Sequence, residues 1–259
     1  MRPFVAHDSV VREIWGNGDT ILFIFAGAAA EFSVNKAVDW LYFTGRLPAD
    51  PLGRLFSTVE YARRIVFSDH AGAMRAIGAM ADIHAAVEEK RGRSIPDWAY
   101  RDVLFMLIDY SIRAYEVLQR PLLPAEREEV FNVFYRVGDG MGVRGLPGDY
   151  DEWVAMRAGH LERDLAHSAY TDDLYRQYRL HLGWVRYLLL REAQLLVMPA
   201  HVRDLLGFRR GSLLAPLIGL YKLARRVGLD RHMKALILPT QHRAQIDALD
   251  QIPVRQLPQ

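Results

Sequence analysis

The sequence predicts an all-α fold: a single multi-helix domain of about ten helices. Three observations support this. Apolar residues recur at helical spacing along almost the whole chain. Strand signals are scarce, with no Asn-Gly pair between alternating runs and no sustained period of two. The Gly- and Pro-rich breakers leave segments of helical length, and none is long enough to separate domains. Residues 1–259 are therefore expected to form one domain, with no internal repeat.

A first helix fits Ser9–Trp15, with Ser9 as N-cap, and Gly16-Asn17-Gly18 stops it. Asp19 or Thr20 caps a second, very apolar helix through Ala30, expected to continue to Tyr42. Thr44–Pro51 is a loop, and helices follow at Gly53–Phe67 and Ser68–Val87. Lys90–Pro96 is another loop, after which Asp97 caps a helix over Trp98–Gln119. Pro124 suits the first turn of a helix over Ala125–Val137. Gly138–Pro147 is glycine-rich, and Asp149 or Asp151 caps the next helix. Asp172–Leu196, a short helix from Ala200, and a closing pair around Leu213–Val227 and His232–Leu238 complete the pattern. The closing helices, over about 172–240, are expected to seal the bundle.

Composition narrows the function. The 259 residues hold 33 Lys+Arg against 31 Asp+Glu, and 51% are hydrophobic, so wholesale disorder is excluded. Cysteine is absent, which rules out disulfides, thiolate metal sites and cysteine nucleophiles, and fits a reducing, cytoplasmic compartment. A net charge of +2 gives no case for a nucleic-acid partner. The N-terminus does not look like a signal peptide, and the apolar run Ile21–Ala30 is about half a membrane span. Basic residues cluster in Arg203–Arg210 and Lys222–Arg231. An amphipathic stretch over 213–226 is expected either to close the bundle or to make peripheral membrane contact.

A few residues stand out chemically. His84 shares an apolar stripe with Ile77, Met80, Ala81 and Val87, so it points inward. An imidazole there suits either a haem or metal ligand or a core histidine bonded to a carbonyl. Arg54 and Thr58, at i and i+4, continue through Ala62 and Ile65. A buried arginine needs an anion, either a carboxylate or a ligand's propionate or phosphate. Asp109 lies inside the apolar run Val103–Ile112, with Arg113 at i+4 as its simplest partner; a facing histidine or arginine is the alternative. His160, Asp164 and His167 share a helical face but sit in a segment, Arg157–His167, that looks like a solvated surface. The glycine-rich loop after Val137 lacks a terminal Gly-Lys-Ser/Thr and follows a helix, so it is a turn rather than a phosphate cradle.

Together these residues resemble the catalytic domain shared by the MpaB-type ER-bound oxygenases and the rubber oxygenase (latex-clearing protein). The likeness runs from about Val11 to Trp153. Its strongest piece is Asp50-Pro51-Leu52-Gly53-Arg54-Leu55-Phe56-Ser57-Thr58, followed by Ile83-His84, Tyr100, Ala114-Tyr115-Glu116, Pro121-Leu122, Glu128 and Gly142 through Leu146-Pro147. The resemblance implies a globin-like haem-binding core with haem b, iron held by His84, and Arg54 and Thr58 on the catalytic, oxygen-facing side. It also implies an oxygenase acting with dioxygen on a small apolar, isoprenoid-like substrate. Beside it, Arg54 or Arg113 would face a propionate, Asp109 would orient a cofactor-facing partner, and Tyr61, Tyr110 and Phe105 would line the pocket. Where the rubber oxygenase has a lysine before the threonine, this chain has Ser57; Ser33-Val34 and Leu104 stand where many relatives carry histidines. Two other readings stay open: a haem-binding sensor or carrier without oxygenase activity, and a cofactor-free helical protein that binds lipid. Oligomeric state is not legible.

Overall fold

The chain folds into a bundle built around two apolar helices, and the computed structural model describes residues 2–45 and 49–226 of it. Of those, the side chains of residues 51, 52, 54, 55 and 223–226 lie outside the described set. The predicted helix His232–Leu238 and the tail from Gln251 lie outside the described residues altogether. Among the described residues there are no strands, only isolated bridges of Pro3 with Asp69 and Asn35 with Leu165.

Helix α1 (Val10–Trp15) begins where Ser9 Oγ accepts from the Val11 N–H at 3.1 Å, as expected. Helix α2 (Gly18–Ser33) is capped by Asn17 rather than by Asp19 or Thr20: Asn17 Oδ1 accepts from Thr20 N at 3.0 Å. The expected continuation to Tyr42 does not occur. Ser33 Oγ donates back to the Ala30 carbonyl, Asn35 Oδ1 takes the Ala37 N–H, and α3 (Val38–Phe43) starts anew. The break is held from a distance, because Lys36 N donates to Asp164 O and Ala166 N to Val34 O.

Asp50 caps α4 (Pro51–Phe67), with Pro51 in its first turn, where the lost N–H is harmless. Asp69 caps α5 (His70–Arg91), and Gly92 ends it at φ 67°, a left-handed position that glycine takes without strain. Next come α6 (Asp97–Leu118), α7 (Pro124–Gly140), α8 (Tyr150–Arg163) and α9 (Ala169–Val197). The chain ends with α10 (Ala200–Leu205), a 3-10 turn at Ala215–Leu217 and α11 (Ile218–Arg226). Helix α9 is interrupted at Gly183, whose φ of 72° leaves helical space.

Packing follows from the apolar faces. Helix α2 is buried around most of its circumference and lies chiefly against α6 and α9, while α7 covers another side of α6 and α4 packs on α5. The α2–α6 approach is close because residue 27 is glycine. A Cβ there would meet the Tyr110 ring at 2.3 Å. No helix among the described residues is long and apolar enough to cross a membrane.

Candidate functional site

Several helices leave space between them instead of closing on one another. Helices α2, α3, α4, α5, α6, α7 and α9, with the segment 214–221, wall a cavity of about 900 Å³. That is at the upper end of ordinary ligand pockets. The wall is predominantly apolar: Phe23 and Phe32 from α2, Phe56 from α4, Met80 from α5, Leu104 from α6 and Leu190 from α9 are typical of it. An empty space so lined stays dry and favours an apolar occupant.

The polar exceptions define the chemistry. Ser57, Thr58 and Tyr61 come from α4, where their spacing puts them on one face. His84 comes from α5, one turn after Met80. Its Nδ1 lies 2.8 Å from the Met80 carbonyl oxygen. A carbonyl only accepts, so Nδ1 carries the proton and donates, and the neutral ring then has its lone pair on Nε2. The ring also meets Tyr100 edge-on at 5.4 Å between centroids. Of the two alternatives left by the sequence, the carbonyl bond is present, within the histidine's own helix, and the ring also lines the cavity.

Other candidates fall elsewhere. The side chain of Arg54 lies outside the described residues. Asp109 and Arg113 do not line the cavity, so the structure gives neither a cofactor-facing position. Arg113 Nε donates to Asp109 Oδ1 at 2.6 Å, the local pair that was the simpler expectation. Tyr110 and Phe105 are buried in the core rather than on the cavity wall.

The second oxygen of Asp109 belongs to a buried cluster that the sequence did not reveal. Arg157 makes a bidentate pair with Glu31 at 2.5 and 2.6 Å, reaches Asp109 at 3.1 Å and approaches Asp102 at 3.4 Å. The Tyr110 hydroxyl donates to Glu31 at 2.9 Å, and Asn35 Nδ2 donates to Asp102. Burial opposes charge on Arg157, but Glu31 overrides it and keeps the guanidinium firmly protonated. Burial, reinforced by the negative charge of Glu31, pushes the Asp102 carboxyl up to about 7. A charge mismatch adds to the burial: three carboxylates face two guanidinium groups, and a proton on Asp102 removes the excess.

Arg157–His167 is only in part the solvated surface expected: Glu162, Arg163 and His167 are exposed, but Arg157 and His160 are buried. His160 Nδ1 lies 2.5 Å from Asp164, and its pKa is lowered by burial. His167 turns instead to Asp172 at 3.3 Å. Among the described residues no group of three or more such side chains is placed to hold a metal ion.

Sequence reasoning also missed Arg186 on the cavity wall. The signal was available, because Arg186, Leu190 and Ala193, all after the interruption at Gly183, follow helical spacing on one face. Two anchors hold the segment 212–221 against that side of the cavity. The Tyr221 hydroxyl donates to Asp19, tying α11 to the start of α2. Glu192 accepts from Ser212 Oγ at 2.9 Å, from Leu213 N at 2.6 Å and from Arg209. Burial by itself would raise the Glu192 carboxyl, but these donors hold it below the usual range.

An all-helical domain enclosing an apolar cavity with one inward imidazole is thus the class of protein defined by the fold and the site. More specifically, the chain belongs to the ER-bound oxygenase mpaB/B'/rubber oxygenase catalytic-domain family, whose model matches residues 14–228. The match passes well beyond Trp153, so α9 and α11, which complete the cavity wall, belong to the family domain too. The family is that of an oxygenase catalytic domain, which makes the chain an oxygenase-type protein. No curated protein gives a significant match.

Proposed function

We propose that this protein is a haem-b-dependent oxygenase that uses dioxygen on an apolar, isoprenoid-like substrate. The observation that carries this reading is the His84 imidazole on the wall of the large apolar cavity, its Nδ1 proton held by the Met80 carbonyl. That bond fixes the ring's orientation and raises the basicity of the other nitrogen, the arrangement a ligand to iron requires. The residues present fit haem in two further respects: the cavity is large and predominantly apolar, and a guanidinium, that of Arg186, lies on its wall. Haem bound there would supply the redox centre that activates dioxygen.

The chain's own contribution is binding, exclusion and positioning. Apolar side chains from the surrounding helices displace water from an apolar substrate and keep solvent protons away from the reacting centre. Thr58 brings a hydroxyl, and Tyr61 a second one, to the wall formed by α4. A fixed donor there would stabilise charge developing on oxygen. Arg54, in the first turn of α4, keeps the catalytic role that the resemblance implies.

Haemin titration of the full chain tests the reading. A Soret band that saturates at one equivalent is expected, with isoprenoid-dependent oxygen consumption by the loaded protein. His84→Ala should weaken haem binding by more than the ~10–100-fold seen when outer-shell partners are lost. Its melting temperature without haem should barely move, because His84 is only half-buried. A protein that ignores haemin, or a His84→Ala variant that keeps a full Soret band, would remove the proposal. Haem binding without oxygen consumption would leave a sensor or carrier.

A further inference from the structure

The outer face of the helices that close the cavity is apolar where a globular surface should be polar. On α9, around the interruption at Gly183, Leu180 and Val185 are each 69% exposed and Trp184 57%. On the closing segment, Leu213 is 70% exposed and Leu220 64%. Leu217 and Leu220 are exposed and also line the cavity, so the cavity opens at this face. Apolar side chains concentrated at the rim of an apolar cavity mark a binding surface rather than scattered exposure.

Charge identifies the partner. Between Asp173 and Glu192 the chain carries four arginines and no acid; between Asp204 and Asp230 it carries four arginines and one lysine, again with no acid. Arg176 pairs with Asp173 and Arg209 with Glu192, while Arg179 and Arg210 are exposed beside the ridge, so the local balance is positive. Arg179 lies over the Trp184 ring at 5.0 Å, an aromatic–cation pair suited to the level of lipid headgroups. An apolar ridge flanked by arginines matches the interface of an anionic bilayer, with acyl chains below and phosphates above.

We propose that Leu180–Leu188 and Leu213–Leu220 together form a docking surface for an anionic lipid bilayer, with the cavity mouth facing the acyl region. The surface is larger than the 213–226 stretch suggested by sequence alone, and it does not depend on what the cavity holds. The ridge lies at the interruption: Gly183, at φ 72°, stands between Leu180 and Trp184-Val185, all three of which are exposed.

Co-sedimentation of the full chain with phosphatidylcholine vesicles, with and without phosphatidylserine, tests the proposal. Binding should strengthen about tenfold or more with phosphatidylserine and weaken as salt rises. Brominated lipid should quench Trp184, and Trp184→Phe should abolish that component. A Leu180→Ser/Val185→Ser variant should lose about tenfold in binding with an unchanged thermal melt, because both side chains are already in water. Overturning results would be a chain that stays in the supernatant with either lipid, as a monomer or as a dimer through this face, or one that binds without Trp184 quenching.

Discussion

At the scale of single residues, Arg157 is the costliest side chain to lose. It is buried and holds Glu31, Asp109 and Asp102 together. Arg157→Met would leave these carboxylates without their shared cation, and unfolding in urea should show a loss of about 3–5 kcal/mol at neutral pH. The loss should shrink in acid, where protons can replace the guanidinium. Asp102 gives the same cluster a pH signature. Its folded-state pKa is raised, to about 7, above the ordinary carboxylate value. The folded chain therefore binds a proton that the unfolded chain has released. This contribution to stability is present in full below about pH 4 and is lost as pH rises through about 7, with a slope of at most ~1.4 kcal/mol per pH unit. Asp102→Asn, which mimics the protonated acid, should flatten this decline between about pH 4 and 7 in urea titrations. An unchanged profile would assign the proton to another group.

At the scale of elements, the α2–α6 contact has the least tolerance. A Cβ on residue 27 would lie 2.3 Å from Tyr110 Cδ1 and 2.9 Å from Val197 Cγ2. Tyr110 cannot easily yield, because its hydroxyl is bound to Glu31. Alanine would gain about 1 kcal/mol in helix propensity. Overpacking costs ~1–3 kcal/mol, so Gly27→Ala is expected to be destabilising on balance, measured as a fall in the urea midpoint. The α2–α3 break teaches a related lesson. Apolar periodicity alone suggested one continuous helix to Tyr42, but Asn35 has a side chain that bonds its own backbone and a distant aspartate, and both bonds require a non-helical turn.

At the scale of the whole molecule, the cavity is the feature that stability and function share. Space for a ligand is space without packing contacts, so an apolar occupant that fills it should raise the melting temperature in proportion to its occupancy. Helical class, most helix boundaries, the Ser9 cap and the inward direction of His84 were legible, because each depends on residues within a turn or two of one another. The family likeness was legible for the same reason, being carried by short motifs such as Pro51–Thr58 and Ile83-His84. The chain by itself therefore determined which segments are helical and which face of each is greasy. Only the tertiary structure decided that Asp109 serves a buried ion cluster and that His84 looks onto open space. Glu31 and Arg157 meet across 126 positions of sequence, and helical periodicity carries no information about which distant face a side chain will meet.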